Sequence, residues 1–218
     1  MSSHRVREYL GVGVEHTEET PMKPSIIKTT MTAIALTTFV AGPVAAEGEH
    51  VAPMKQLAGS QVAGWAASPV VIAATNAQNT KHASLAQGDV DKMDKTWRAE
   101  VKSGGGAMTK SVLGNALSGY LKKVKGDSKG LYTEIFVMDN KGLNVGQSDV
   151  TSDYWQGDEA KWQKTYSVGA KATHIGKVKT DESSQTLQSQ LSMAITDPAS
   201  GKVIGAVTIG VNVEQLVE

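Results

Sequence analysis

Between residues 54 and 79 small and apolar positions dominate, Leu57, Val62, Trp65, Val70, Val71 and Ile72 among them. Pro69 in their midst predicts a long helix that kinks or restarts there. Val90, Met93, Trp97 and Val101 then recur at helical spacing behind Asp89, a good first-turn residue, and the stretch ends in Gly104-Gly105-Gly106. A third helical pattern places Met108, Val112, Leu113, Ala116, Leu117, Tyr120, Leu121 and Val124 on one face, with Lys122, Lys123 and Lys125 favourable to the helix dipole and Gly126 as its stop. After Lys129 the period shortens to two. Residues 132–138 (YTEIFVM), the turn 139–142 and residues 143–148 read as a hairpin. A weaker strand spans 173–180. Residues 185–196 alternate well, with Leu187, Leu191, Met193 and Ile195 on one face and Gln188, Gln190, Ser192 and Thr196 on the other. Beyond the turn 197–202, residues 203–213 return with Val203, Val207, Ile209, Val211 and Val213 together. Five strands after three helical stretches make an α+β fold with a mainly antiparallel sheet.

The 218 residues contain no cysteine and 22 charges of each sign. Disulfide scaffolds, thiolate metal sites and thiol nucleophiles are excluded, and no basic field exists for a nucleic acid or an anionic membrane surface to recognise. His50, His82 and His174 form no HxxxH pair, and neither a G-x-S-x-G elbow nor a phosphate-loop motif is present.

Residues 22–46 have the composition of a secretory leader. Lys23 and Lys28 precede the apolar run 31–42, and Val44-Ala45-Ala46 offers a small-residue cleavage site after Ala46. The run is about a dozen residues, short of the ~20 that span a bilayer. Residues 1–21 read as a non-native or disordered extension, and residues 47–218 as one domain that is periplasmic or secreted.

The connection 149–169 concentrates Tyr154, Trp155, Trp162 and Tyr166, four of the nine aromatics beyond residue 46, among Asp149, Asp153, Asp158, Glu159, Lys161 and Lys164. Flat apolar surfaces among directed polar groups suit a small-molecule pocket. Tyr154 and Trp155 favour such a role. Trp162 and Tyr166, at helical spacing, fit equally a plug over the open face of the sheet. Asp181-Glu182-Ser183-Ser184 reads either as a ligand-orienting turn or as a solvated one. Asp153 with Asp158 or Glu159 supplies paired carboxylates for a hydrolase or lyase, against which stands the absence of a nucleophile or metal motif. A third reading is an assembly protein whose long helix pairs with a copy of itself.

The order of the long N-terminal helix with Ser68-Pro69-Val70-Val71, Trp97 on the next helix, Ile135-Phe136-Val137-Met138-Asp139-x-x-Gly142, Asp153-Tyr154-Trp155 and the closing Ile204-Gly205-Ala206-Val207 resembles the extracytoplasmic single Cache (PDC-type, PAS-like) sensor domains. The likeness covers about residues 54–217. It implies a five-stranded antiparallel sheet behind a long helix, with additional helices on one side. It also implies non-covalent binding of an amino acid, carboxylate or amine at Asp153, Tyr154, Trp155, Trp162 and Asp181, without cofactor or catalysis, for signal transduction with a membrane receptor or kinase. Apart from the resemblance, the long N-terminal helix offers a surface for a homodimer. Because the chain ends five residues after Val213, a free exported binding protein that presents its ligand to such a partner is expected.

Overall fold

The computed structural model describes residues 48–180 and 186–216. The leader, the extension before it and Asp181 lie outside the described residues. Helix α1 (Val51–Leu57) runs through a π-helical turn (Ala58–Val62) into α2 (Ala63–Ala66), and α3 (Pro69–Lys81) leaves at 71°. Pro69 occupies the first position of α3, where a missing N–H costs nothing, and Ser68 before it is extended (φ −65°, ψ 149°). The predicted kink is therefore a true restart. No single helix among the described residues is long and apolar enough to cross a membrane.

Helix α4 (Gln87–Lys102) starts where Asp89 accepts from the Ala86 amide at 3.1 Å. The glycine run then turns the chain with positive φ at Gly104 and Gly105. Glu100 reaches across this corner to accept from the Thr109 (2.8 Å) and Met108 (3.1 Å) amides, joining α4 to α5 (Ala107–Leu113). The third helical pattern is thus two helices. Gly114-Asn115 interrupts it, and Asn115 caps α6 (Ala116–Asp127) by accepting from the Ser118 amide at 2.8 Å while donating to the Val145 carbonyl. A side chain that prefers capping to helix interior overrides a continuous apolar stripe. Gly126 lies inside α6 rather than stopping it.

The strands β1 (Tyr132–Met138), β2 (Asn144–Gln147), β3 (Thr173–Ile175), β4 (Lys179–Thr180), β5 (Leu187–Thr196) and β6 (Val203–Asn212) form an antiparallel sheet in the order β2-β1-β6-β5-β3, with β4 also on β5. The predicted strand 173–180 is divided by residues 176–178, so six strands fill five rows. The α+β arrangement with an antiparallel sheet is as the sequence indicates. Residues of β1, β5 and β6 with odd numbers (Ile135, Val137, Leu191, Ile195, Val207, Ile209, Val211) pack with Met54, Leu57, Val62, Val71, Leu117 and Leu121 from the helices. The opposite face carries Glu134, Phe136, Met138, Gln188, Gln190, Ser192, Ala206 and Thr208, as the cross-strand register requires. A short helix, α7 (Ala160–Gln163), lies over this second face, whereas the resemblance placed the additional helices on one side. A final turn of helix, α8 (Val213–Leu216), follows β6.

Asp139 fixes the β1–β2 turn. Fully buried, it accepts from the amides of Lys141 (2.8 Å) and Leu143 (2.9 Å) with one oxygen, and the other oxygen meets His82 Nδ1 and Gln78 Nε2, both at 3.0 Å. Gly142 has φ +81°, and a Cβ there would stand 2.5 Å from Gly157 Cα. The D-x-x-G spacing is thereby explained: the carboxylate organises a loop that only glycine can close.

Asp139→Ala strips the buried partner from His82 and from two amides and should cost about 3–5 kcal/mol. Urea unfolding checks this, with a lower midpoint at unchanged slope as the expected result. The Thr109 and Met108 amides hold the Glu100 carboxyl below its ordinary value of 4.5. A depressed carboxyl stabilises the fold above its unfolded pKa, and that contribution is lost as pH falls through the folded value. Acid unfolding of Glu100→Gln should therefore lack this component and run flatter than the parent below pH 4.5.

Candidate functional site

The connection between β2 and β3 is held to the rest of the fold at three places. Asp94 of α4 accepts from the amides of Tyr154 (2.8 Å) and Trp155 (3.1 Å), and its other oxygen takes Arg98 Nε at 2.6 Å, while Arg98 also reaches Asp153 at 3.2 Å. The first of these fixes where the chain must turn, since two consecutive amides share one carboxylate oxygen. Residues 154–156 then run antiparallel to residues 142–144, through the bridge Leu143–Trp155 and the bonds Asn144 N–H to the Tyr154 carbonyl and Gln156 N–H to the Gly142 carbonyl. Further on, the Trp162 indole donates to the Asp139 carbonyl at 3.1 Å and stacks on Tyr166 at 4.8 Å, over Phe136, Met138 and Ala206.

Under this strap, on the second face of the sheet, lies a cleft of about 590 Å³. Glu134 and Phe136 of β1 and Gln190 of β5 line its sheet side, and Thr151, Asp153, Gln156 and Lys161 of the connection line the other. Glu134 accepts from Gln190 (2.9 Å) and Gln188 (3.2 Å), and Thr133 donates to Gln188, so the amides are oriented before any ligand arrives. Gly210 permits this cluster, because a Cβ there would meet Thr133 Oγ1 at 2.3 Å and Glu134 Cγ at 2.8 Å. The Lys161 ammonium sits 5.4 Å above the Phe136 ring, bound to Gln156 Oε1 and Glu159, each at 3.0 Å. Gln156 is buried and donates to Asp153 Oδ1 at 3.0 Å. A carboxylate, an ammonium and several amides thus border one volume above the buried Phe136 ring, and they can hold a small polar molecule by charge at two points and by hydrogen bonds between them.

A second cleft of about 490 Å³ adjoins the first at Lys161 and Gln190 and continues to His174, Lys177 and Lys179.

Of the residues expected at a ligand, Asp153 lines the first cleft. Tyr154 is buried against Trp97, ring centroids 5.4 Å apart, and burial pushes its hydroxyl pKa far up. Trp155 packs on the same cluster with its indole donating to the Lys141 carbonyl at 2.9 Å. Trp162 takes the plugging arrangement, and burial also raises the Tyr166 pKa. None of Tyr154, Trp155 or Trp162 lines either cleft. Asp181 lies outside the described residues. Of the carboxylates of the hydrolase reading, Asp153 lines the first cleft, Glu159 the second and Asp158 neither. Lys161 was among the polar groups that marked the connection, whereas Glu134, Phe136, Gln156 and Gln190, which also line the first cleft, escaped the sequence reading. The signal was the polar face of β5, Gln188-x-Gln190-x-Ser192, since a central strand polar on a covered face needs partners.

No family model matches the chain, and no curated protein matches it. Solved structures do. The sensory domain of the Campylobacter jejuni chemoreceptor Tlp3 aligns at 14% identity over 77% of this chain and 62% of that one, with a TM-score of 0.37. The sensor domain of the Vibrio cholerae histidine kinase DctB aligns at 13% over 67% and 59% (TM-score 0.32), and that of Escherichia coli DcuS at 14% over 60% and 90% (TM-score 0.34). The chain spans about three-fifths of the length of the chemoreceptor domain.

Gly210→Ala should destabilise the protein by about 1–3 kcal/mol through overpacking. In the folded variant the amide resonances of Thr133, Glu134 and Gln188 should move while those of β2 stay in place, which an amide correlation spectrum tests.

Proposed function

We propose that the domain is an extracytoplasmic sensor module that binds a small polar metabolite non-covalently in the first cleft and reports its occupancy to a membrane receptor or kinase. The observation that carries the reading is the convergence of Glu134, Lys161 and Phe136 on one volume of about 590 Å³, within the ~300–1,000 Å³ of ordinary ligand sites. The carboxylate of Glu134 suits an amine and the ammonium of Lys161 a carboxylate, with the buried Phe136 ring holding Lys161 in place beneath them, so amino acids head the ligand classes, followed by simple carboxylates and amines. Asp153 adds a second acceptor on the connection side. Tyr154, Trp155 and Trp162 act from behind, as the packed supports that hold the cleft wall in place. Location outside the cytoplasm rests on the leader-like residues 22–46.

A thermal-shift screen of the full chain against amino acids, carboxylates and amines tests this, since a ligand at 100 times its Kd adds about 2.7 kcal/mol to folding stability. A stabilising compound is expected. Glu134→Gln should weaken it about 10- to 100-fold, the loss of a hydrogen bond to a charged group. Phe136→Leu should weaken it as well, and Trp155→Phe should lower the melting temperature with little change in Kd. No shift from a broad panel on well-folded protein would falsify the reading.

A further inference from the structure

The second face of the sheet changes charge from one edge to the other. Glu134 on β1, with Asp149 and Asp153 above it, borders the first cleft. Three rows further, register pairs His174 with Ser192 and Lys179 with Gln188, and both partners belong to this face. Strand alternation therefore brings His174 and Lys179 to the same side as Glu134, Gln188 and Gln190. Lys177, from the segment that divides β3 from β4, joins them, and Lys161 stands between the two clefts. Among the described residues, the charged and titratable groups lining the second cleft are then Lys161, Lys177, Lys179 and His174 against Glu159, and Glu159 is paired to Lys161.

We propose that the second cleft is an anion subsite, which takes a carboxylate or phosphate group carried at the far end of the molecule that occupies the first cleft. The proposal rests on the binding role assigned to the first cleft and names the ligand class further: a molecule with a polar or cationic head and a distal anion, rather than a compact neutral side chain. Gln188 and Gln190 form the floor between the two ends. Their side chains already donate to Glu134, so the acidic end is the better satisfied of the two. At the basic end no ion pair of Lys177 or Lys179 is formed among the described residues. Burial first and the charge of Lys164, from the connection, next lower the His174 pKa below its ordinary value. An anion placed among His174, Lys177 and Lys179 offsets that repulsion and favours the imidazolium.

Imidazole NMR on the full chain provides the test, with the His174 resonance assigned by its loss in His174→Gln. The probes are inorganic phosphate and succinate, each against sodium chloride at matched ionic strength. A saturable shift of His174 and a rise in its titration midpoint are expected with at least one probe. The Lys177→Ala/Lys179→Ala double variant should weaken that response about tenfold, as loss of charge-assisted hydrogen bonds predicts. Phosphate active and succinate silent assigns a phosphorylated ligand, and the reverse a carboxylate. A response that chloride reproduces, that rises linearly with salt, or that survives in the double variant overturns the subsite. So does no response from either anion, whatever amino acids do in the first cleft. An anion response kept in Glu134→Gln supports the subsite independently of the first cleft.

Discussion

A single buried carboxylate sets the geometry on which both the turn and the site depend. Asp139 closes the β1–β2 loop through two amides, ties that loop to α3 through His82 and Gln78, and offers its carbonyl to the Trp162 indole. Three parts of the fold that are distant in sequence meet at one residue with no exposed surface. A buried charge is tolerated only when every lone pair is occupied, so these contacts stand or fall together. Gly142 and Gly157 follow from the same demand, because the loop and the connection approach too closely for a Cβ on either.

Much of the architecture was legible from periodicity. The restart at Pro69, the hairpin, the long β5–β6 pair and the two faces of β5 all follow from rules that act within a few residues. What periodicity missed lay in single polar side chains. Asn115 divides an apolar stripe into two helices by bonding both the Ser118 amide and the Val145 carbonyl, and the second of these partners is thirty residues away. Residues 176–178 likewise divide the third strand: the Gly176 carbonyl turns to His50 (3.2 Å) and Ser189 (2.9 Å), two groups from different parts of the chain.

The lining of the candidate cleft was only partly legible for a related reason. Aromatic clustering marked the connection correctly as unusual, but it does not say which way a ring points. Tyr154, Trp155 and Trp162 spend their surface on Trp97, Leu143, Phe136 and Met138, and their polar atoms find backbone or buried partners. The cleft is lined instead by residues that the strand alternation places opposite the main core, Glu134, Phe136 and Gln190, of which only Gln190 belonged to a face that the sequence marked as polar. Composition finds the covering element, whereas register finds the surface it covers.

The two halves of the connection are held with unequal strength. Residues 154–157 and 162–166 are fixed by buried backbone bonds, stacked rings and a carboxylate shared by two amides, interactions that lose little to solvent. The stretch 149–153 depends more on the Lys125–Asp149 pair (2.6 Å) and the Arg98–Asp153 pair (3.2 Å), with Thr151 as its internal anchor to Trp97 and Asn144. Both ion pairs are exposed on at least one side, where such contacts contribute about 0–1 kcal/mol. Val150, half exposed between them, borders the cleft on one side and an apolar hollow against α5 on the other. The wall of the cleft nearest Glu134 and Asp153 is therefore the wall that costs least to rearrange, while the sheet and the tryptophan-bearing half of the strap provide the fixed frame against which any such rearrangement is defined.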